Sequence, residues 1–424
     1  MTKILEVDYK GEIIKGPLLK EDETYFMIKL SSGYNASLKK VNCKIISETD
    51  IEDTNSNEQS KKKSNKSKLP KITMLHTGGT IASKVDYRTG AVSNKFTPEE
   101  LLNLFPELNE IADIKANLIG NFSSEDLGFT EQNIILKNII ESVNDGADGI
   151  IIGHGTDTLH YTAAFLQYAL RNLKIPVIIV GAQRSSDRAS SDAFLNLQAA
   201  TQFIIQNKNK EHKFNRVGIC MHATTDDKTF NILDGINARK MHSTQRDAFK
   251  QINYSPFARM DLKHEIQILR PDLETKSNEE ETSFIPYNED LKIGFFKAHP
   301  NMYDWELDHL VQYDAVVLEG TGVGNIGANN DNFKKDNLVL KKLSEICDKV
   351  KVFSGVQTVY GQVSLGIYSR GRDIKESGVI GDRTNLTTES TFCRAAHVLS
   401  CEGDFDENWE ENHEGFDLIS KQIK

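Results

Sequence analysis

Apolar and polar positions change rhythm three times along the chain. Between positions 3 and 48, short β-branched or aromatic runs alternate with glycine turns, as in Ile13-Ile14-Lys15-Gly16 and Tyr25-Phe26-Met27-Ile28-Lys29-Leu30-Ser31-Ser32-Gly33-Tyr34-Asn35. That alternation predicts a small antiparallel β-unit over 1–50. Over 51–69 the rhythm is lost and Asn, Ser, Lys, Asp and Glu dominate, a composition too polar to order itself, so this stretch reads as a linker. Its lysines Lys61, Lys62, Lys63, Lys66 and Lys68 read as solvated rather than as a phosphate-binding patch.

After Pro70, apolar runs of strand length alternate with longer helical periods, the mark of an α/β domain with a mainly parallel sheet. The runs are Ile72 to Leu75, Gly149 to Ile152, Pro176 to Val180 and Val217 to Met221. Helices are predicted over Thr158 to Leu173 and around Ala193, Leu197, Ala200 and Ile204, which share one face. This domain spans 70–275. A polar, acidic stretch follows, giving a second linker at 276–290. Beyond it Ile293 to Lys297, Ala315 to Leu318 and Val350 to Phe353 predict a smaller α/β domain over 291–424.

Composition narrows the function classes. The five cysteines, Cys43, Cys220, Cys347, Cys393 and Cys401, are scattered with no C-x-x-C pair, which argues against a disulfide framework and a zinc site. No charged-then-apolar leader follows Met1 and no run approaches the ~18 apolar residues of a membrane span, so a cytoplasmic location is expected. A net charge of -10 opposes broad capture of nucleic acid, and any RNA is expected to be gripped by another chain.

Chemistry concentrates at two strand exits. Thr77-Gly78-Gly79-Thr80-Ile81-Ala82 follows the first apolar run, where the carboxyl end of a parallel strand opens on a ligand crevice. Paired glycines let backbone approach a substrate, and a threonine hydroxyl there attacks only when a base takes its proton. A glycine turn with a helix-capping threonine would need the same residues. His154-Gly155-Thr156-Asp157-Thr158 stands at a second exit, before a helix whose apolar face includes Leu159, Thr162, Ala163, Leu166, Ala169 and Leu170. Thr156 or Asp157 can serve as an ordinary N-cap, but two such clusters in one domain favour a site. A lysine can take a threonine's proton if burial and neighbouring cations favour its neutral form. Lys240, in Asp234-Gly235-Ile236-Asn237-Ala238-Arg239-Lys240-Met241-His242, is the candidate, although alone it reads as a surface lysine.

These segments, with Val180-Gly181-Ala182-Gln183-Arg184 between them, resemble the asparaginase/glutaminase family in order and spacing, from about Lys71 onward. The resemblance implies an α/β, asparaginase-like two-domain parallel-sheet fold, here preceded by a small N-terminal β-barrel-like unit. By position it implies that Thr80 is the first nucleophilic threonine and that Thr156, Asp157 and Lys240 form the second catalytic group. Tyr87 matches the tyrosine of a mobile loop that closes over substrate, and 84–94 has the polar character of such a lid. Ser124 falls where the family holds the substrate's α-carboxylate, with Ser123 competing for the match. Either threonine can attack first.

Within the family the chain looks nearest to the archaeal branch that serves tRNA-dependent amidotransferases. The extra β-unit, the loop Gly181-Ala182-Gln183-Arg184-Ser185-Ser186-Asp187-Arg188, and Arg239-Lys240-Met241-His242 with Arg246-Asp247-Ala248-Phe249 carry that likeness, while Thr388-Glu389-Ser390 departs from that branch's Pro-Glu-hydrophobic pattern. This branch implies ammonia release from Gln or Asn by a homodimer within a heterotetramer. A separate tRNA-binding amidotransferase chain, the E-type partner, would use ATP and Mg to activate the glutamate of Glu-tRNA(Gln). No cofactor or metal is expected in this chain, which has no G-x-x-x-x-G-K-[ST] loop. Two other readings remain: a free cytosolic L-asparaginase, and a non-catalytic scaffold that binds RNA or protein.

Overall fold

The computed structural model describes residues 2–21, 23–30, 35–51, 69–78, 83–85, 92–94, 107–184, 191–210, 213–275, 279–327 and 338–410. At the N-terminal end, β1 (Thr2–Tyr9), β2 (Glu12–Glu21), β3 (Tyr25–Lys29), β4 (Asn35–Lys39) and β5 (Cys43–Ile51) form an antiparallel sheet in the order β4-β3-β2-β1-β5. Lys10 and Gly11, at φ 58° and 92°, make the two-residue turn between β1 and β2 whose twist suits a hairpin. Register shifts at Glu6/Val7 and Leu18/Lys20 bend the sheet around a core of Leu5, Val7, Phe26, Ile28 and Leu38.

The large sheet has eight strands. They are β6 (Lys71–Gly78), β7 (Asp113–Phe122), β8 (Gly149–Gly153), β9 (Val177–Val180), β10 (Val217–His222), β11 (Thr229–Asp234), β14 (Ala258–Asp261) and β15 (Ile266–Ile268). A separate hairpin pairs β12 (Ala238–Lys240) with β13 (Phe249–Gln251). The order in the large sheet is β15-β14-β11-β10-β9-β8-β6-β7. From β7 to β10 the pairing is parallel; from β10 to β15 it is antiparallel. The reversal has a covalent cause. Only residues 223–228 join β10 to β11, too few for the crossover that a parallel neighbour needs. β8, β9 and β10 are buried at every residue, as expected of strands covered on both faces.

Helices α1 (Phe129–Asn144), α2 (Leu159–Ala169) and α3 (Ala193–Lys208) pack their apolar residues into this core. The helix expected to reach Leu173 stops at Ala169, because Leu170 is extended and Leu170–Arg171 pairs with Ser283–Phe284. The same pairing corrects the linker expected at 276–290. Its latter part is docked: Tyr287 is buried, stacks on Phe129 and donates from its hydroxyl to the Phe165 carbonyl at 2.6 Å. Aromatic anchors within a polar stretch overrode its average composition.

A smaller parallel sheet, β16 (Ile293–Lys297), β17 (Ala315–Gly320) and β18 (Lys351–Val356), is covered by α4 (Leu338–Cys347) among other segments. Helix α5 (Thr388–Ser400) belongs to both sheets. Cys393 and Ala396 enter the core of the large sheet, whereas Ala395 and Val398 pack with Ala315, Phe353 and Trp409 beside the small one.

Candidate active site

The parallel strands β6, β8, β9 and β10 end on one rim, and their exits bring the motif residues together. Thr77, at the end of β6, donates its hydroxyl to the Gly153 carbonyl at 3.0 Å, tying this exit to that of β8. The chain then makes its turn through His154-Gly155-Thr156-Asp157 into α2. The N-cap is Thr158, without a side-chain capping bond, so neither Thr156 nor Asp157 takes the capping role open to it in the sequence. Instead Thr158 Oγ1 donates to the Ser124 carbonyl at 2.5 Å.

Lys240 reaches the same turn from the β12–β13 hairpin. Asp234 closes β11, and Gly235-Ile236-Asn237 reverses the chain, with Asn237 at φ 60°, a left-handed conformation that asparagine tolerates better than most residues. Gln251 braces the root, accepting from Asp234 N at 2.8 Å and donating to the Ile236 carbonyl at 2.6 Å. Lys240 Nζ thereby lies 2.8 Å from Thr156 Oγ1 and 2.7 Å from Asp157 Oδ1. The lysine side chain is only 10% exposed and Asp157 is 71% exposed, so the amine is held at the inner edge of the site with the carboxylate on the solvent side.

Close approach at β9 shapes the turn. A Cβ on Gly181 would lie 2.7 Å from Thr156 Cγ2, so glycine there lets Thr156 pack against the neighbouring exit. Asp192 holds the same exit by accepting from Gln183 N and Arg184 N, at 3.0 and 3.1 Å.

Ser124 is buried and follows β7, while Ser123 is exposed. Ser124 Oγ donates to Glu125 Oε2 at 3.3 Å, and the residue borders, with Thr158, Gln132, Tyr161 and Phe392, a cavity of about 330 Å³. Thr80 and Tyr87 lie outside the described residues. At the two ends of the expected lid, Ser83–Val85 and Val92–Asn94 form an antiparallel pair.

Three groups around the lysine escape sequence reading. Arg239 forms an ion pair with Glu389 of α5 at 3.1 Å, so the unusual Thr388-Glu389-Ser390 stretch meets the hairpin that carries Lys240. Asn237 N donates to Ser390 Oγ at 3.0 Å, and Asn237 Oδ1 accepts from Thr387 N at 2.9 Å. His160 is buried close to Lys240. Burial, with the Arg239 and Lys240 cations adding to it, pushes its imidazole down to about 3. The one advance signal was an asparagine following Asp-Gly at a chain reversal.

Among the described residues no three His, Cys, Asp or Glu side chains are grouped to hold a metal ion, and no helix is long and apolar enough to cross a membrane. Residues 71–273 match the family described as "Asparaginase, N-terminal". The D-type chain of the glutamyl-tRNA(Gln) amidotransferase of Pyrococcus furiosus is 36% identical over 413 residues, covering 95% of this chain and 88% of that protein. Its counterpart from Methanosarcina barkeri is 35% identical over 419 residues, covering 95% and 94%. Among solved structures, the thermostable L-asparaginase from Thermococcus kodakarensis superposes with a TM-score of 0.69 at 27% identity, covering 83% of this chain and 100% of that one.

Proposed function

Since the chain belongs to the family of D-type glutamyl-tRNA(Gln) amidotransferase subunits and carries that family's asparaginase-type domain, we propose that it releases ammonia from glutamine or asparagine for a partner that converts Glu-tRNA(Gln) to Gln-tRNA(Gln). The observation that carries this reading is the placement of Lys240 Nζ within hydrogen-bond distance of both Thr156 Oγ1 and Asp157 Oδ1 at a parallel-strand exit.

In this mechanism a threonine oxygen attacks the carboxamide carbon and its proton passes to a base. The amide nitrogen takes a proton and leaves as ammonia, and water then cleaves the threonyl ester to the free carboxylate. Lys240 in its neutral form accepts the proton of Thr156, and Asp157 stabilises the ammonium that results. Thr80 supplies the other hydroxyl, Tyr87 closes over the substrate and Ser124 holds its α-carboxylate. ATP and Mg act in the E-type partner, which also grips the tRNA. Absence of a phosphate-binding glycine-lysine loop and the acidic charge balance support that division, in a cytoplasmic heterotetramer built on a dimer of this chain.

A free L-asparaginase is the competing activity, and the coverage speaks against it. The asparaginase from Thermococcus leaves 17% of this chain unmatched, whereas the D-type chain of Pyrococcus leaves 5%, less than the length of the N-terminal β-unit. Lys240→Met, assayed for glutamine hydrolysis with the partner present, is expected to lose ~10²–10⁴ in rate while keeping its fold. Normal turnover by a folded mutant would refute the assignment.

A further inference from the structure

Behind the Thr156 turn lie three buried polar side chains that the mechanism does not use: Gln132, Thr162 and His154, of which Gln132 is 1% exposed and the others 0%. Gln132 Nε2 donates to Thr162 Oγ1 at 3.0 Å. Thr162 Oγ1 is 2.9 Å from His154 Nε2, and His154 Nδ1 is 2.6 Å from the Gly155 carbonyl oxygen.

Their partners dictate where the protons sit. A carbonyl oxygen only accepts, so His154 Nδ1 carries a hydrogen. Thr162 Oγ1 already receives the amide hydrogen of Gln132, which leaves its own hydrogen for His154 Nε2. Hydrogens therefore point one way along the chain, from Gln132 through Thr162 and His154 to Gly155. Burial keeps the ring neutral, with the charged form reached only at about 4; the titratable rings bearing on it are His76 and His160, and neither tolerates a second charge beside it.

Fixing the Gly155 carbonyl fixes more than one atom. The Gly155–Thr156 peptide is planar and trans, so aiming its carbonyl at His154 sets the plane from which the Thr156 side chain departs. His154 N also donates to the Val180 carbonyl at 3.0 Å, and Gly181 admits the Thr156 methyl on that side. We propose that His154, locked in its Nδ1–H form by Gln132 and Thr162, is the positioning residue that aims the Thr156 hydroxyl at Lys240. This rests on the reading of Thr156 and Lys240 as a reacting pair.

The test uses the full chain with its partner and ¹⁵N-labelled histidine, the His154 signal being identified by its loss in His154→Asn. The wild-type ring should show the neutral Nδ1–H tautomer throughout pH 5 to 9. Thr162→Val, equal in shape, should disturb that signal and lower kcat roughly tenfold or more with KM within about twofold, as expected when a reacting group is misaimed. His154→Asn, whose amide can still donate to Gly155, should retain more turnover than His154→Leu. An Nε2–H tautomer or titration near pH 6.5 in the wild type overturns the proposal, as does full kcat in Thr162→Val. Should His154→Leu fail to fold, the wild-type spectrum and Thr162→Val still decide. If Lys240→Met also keeps full turnover, the Thr156–Lys240 reading falls; if only Thr162→Val does, the positioning role alone falls.

Discussion

At Gly181 a single added methyl group would reach the Thr156 side chain. Its Cβ would meet Thr156 Cγ2 at 2.7 Å and Leu159 Cδ1 at 3.1 Å, so Gly181→Ala must push the β8 exit away from β9. The variant should fold and bind substrate but turn over about tenfold or more slowly, since small displacements at a reacting group cost large factors in rate. Steady-state kinetics with unchanged kcat would contradict the geometry. Buried imidazoles set a second prediction. Burial holds His76 and His154 down to about 4 and His160 to about 3. In the unfolded chain they protonate near 6.5, so the stability carried by their neutral forms is complete above that pH and is lost as pH falls toward 4, at about 1.4 kcal/mol per unit of separation for each ring. Urea midpoints should therefore drop from pH 6.5 to 4.5; a level profile would contradict this. Thr156 and Asp157 were legible in the sequence because they sit in one strand-turn-helix word. Lys240 was legible only through the family pattern, since a lone lysine after a turn carries no local mark. Glu389 was not legible, because its meeting with Arg239 depends on how two distant elements pack.

The hairpin that delivers Lys240 is clamped by the first turn of α5, and Asn237 is the hinge of that clamp. Asn237→Ala should lose part of the roughly 1–2 kcal/mol left-handed cost that asparagine, bonding locally through its side chain, bears better than alanine, and about 1–3 kcal/mol more for leaving the buried Thr387 N–H without its acceptor. Asn237→Gly relieves the first cost and keeps the second, so its melting temperature should fall between alanine and wild type. Equal stability of all three would show that the clamp contributes nothing. In the large sheet β6, β8, β9 and β10 were legible because buried parallel strands read as unbroken apolar runs, and the three strands of the small sheet were legible too, whereas β7, β11, β14 and β15 were not. Where long-range pairing decides, local pattern misleads. The apolar period runs on past Ala169, yet Leu170–Arg171 pairs with Ser283–Phe284 and ends α2. The acidic stretch before β16 reads as a linker until Tyr287 is found buried between Phe129 and Phe165.

On the scale of the molecule, a curled β-unit precedes two α/β sheets bridged by α5, and the candidate site lies on the rim of the larger sheet. Among the described residues the β-unit adds none to the Thr156–Asp157–Lys240 cluster, yet the match to the D-type relative from Pyrococcus reaches into it. Under the proposed function, ammonia released into water would protonate and be lost to the acceptor, so useful transfer would need a second protein docked near the site. Docking would also hold substrate and threonine in line, a gain in orientation worth several kcal/mol of barrier. The most direct measurement follows glutamine hydrolysis and glutaminyl-tRNA formation by the purified chain, alone and after the E-type partner, Glu-tRNA(Gln), ATP and Mg are added. Hydrolysis is expected to rise on addition and Gln-tRNA(Gln) to appear, both lost in Lys240→Met. Full-speed asparagine hydrolysis by the isolated chain, unchanged by any addition and yielding no Gln-tRNA(Gln), would contradict the proposed function.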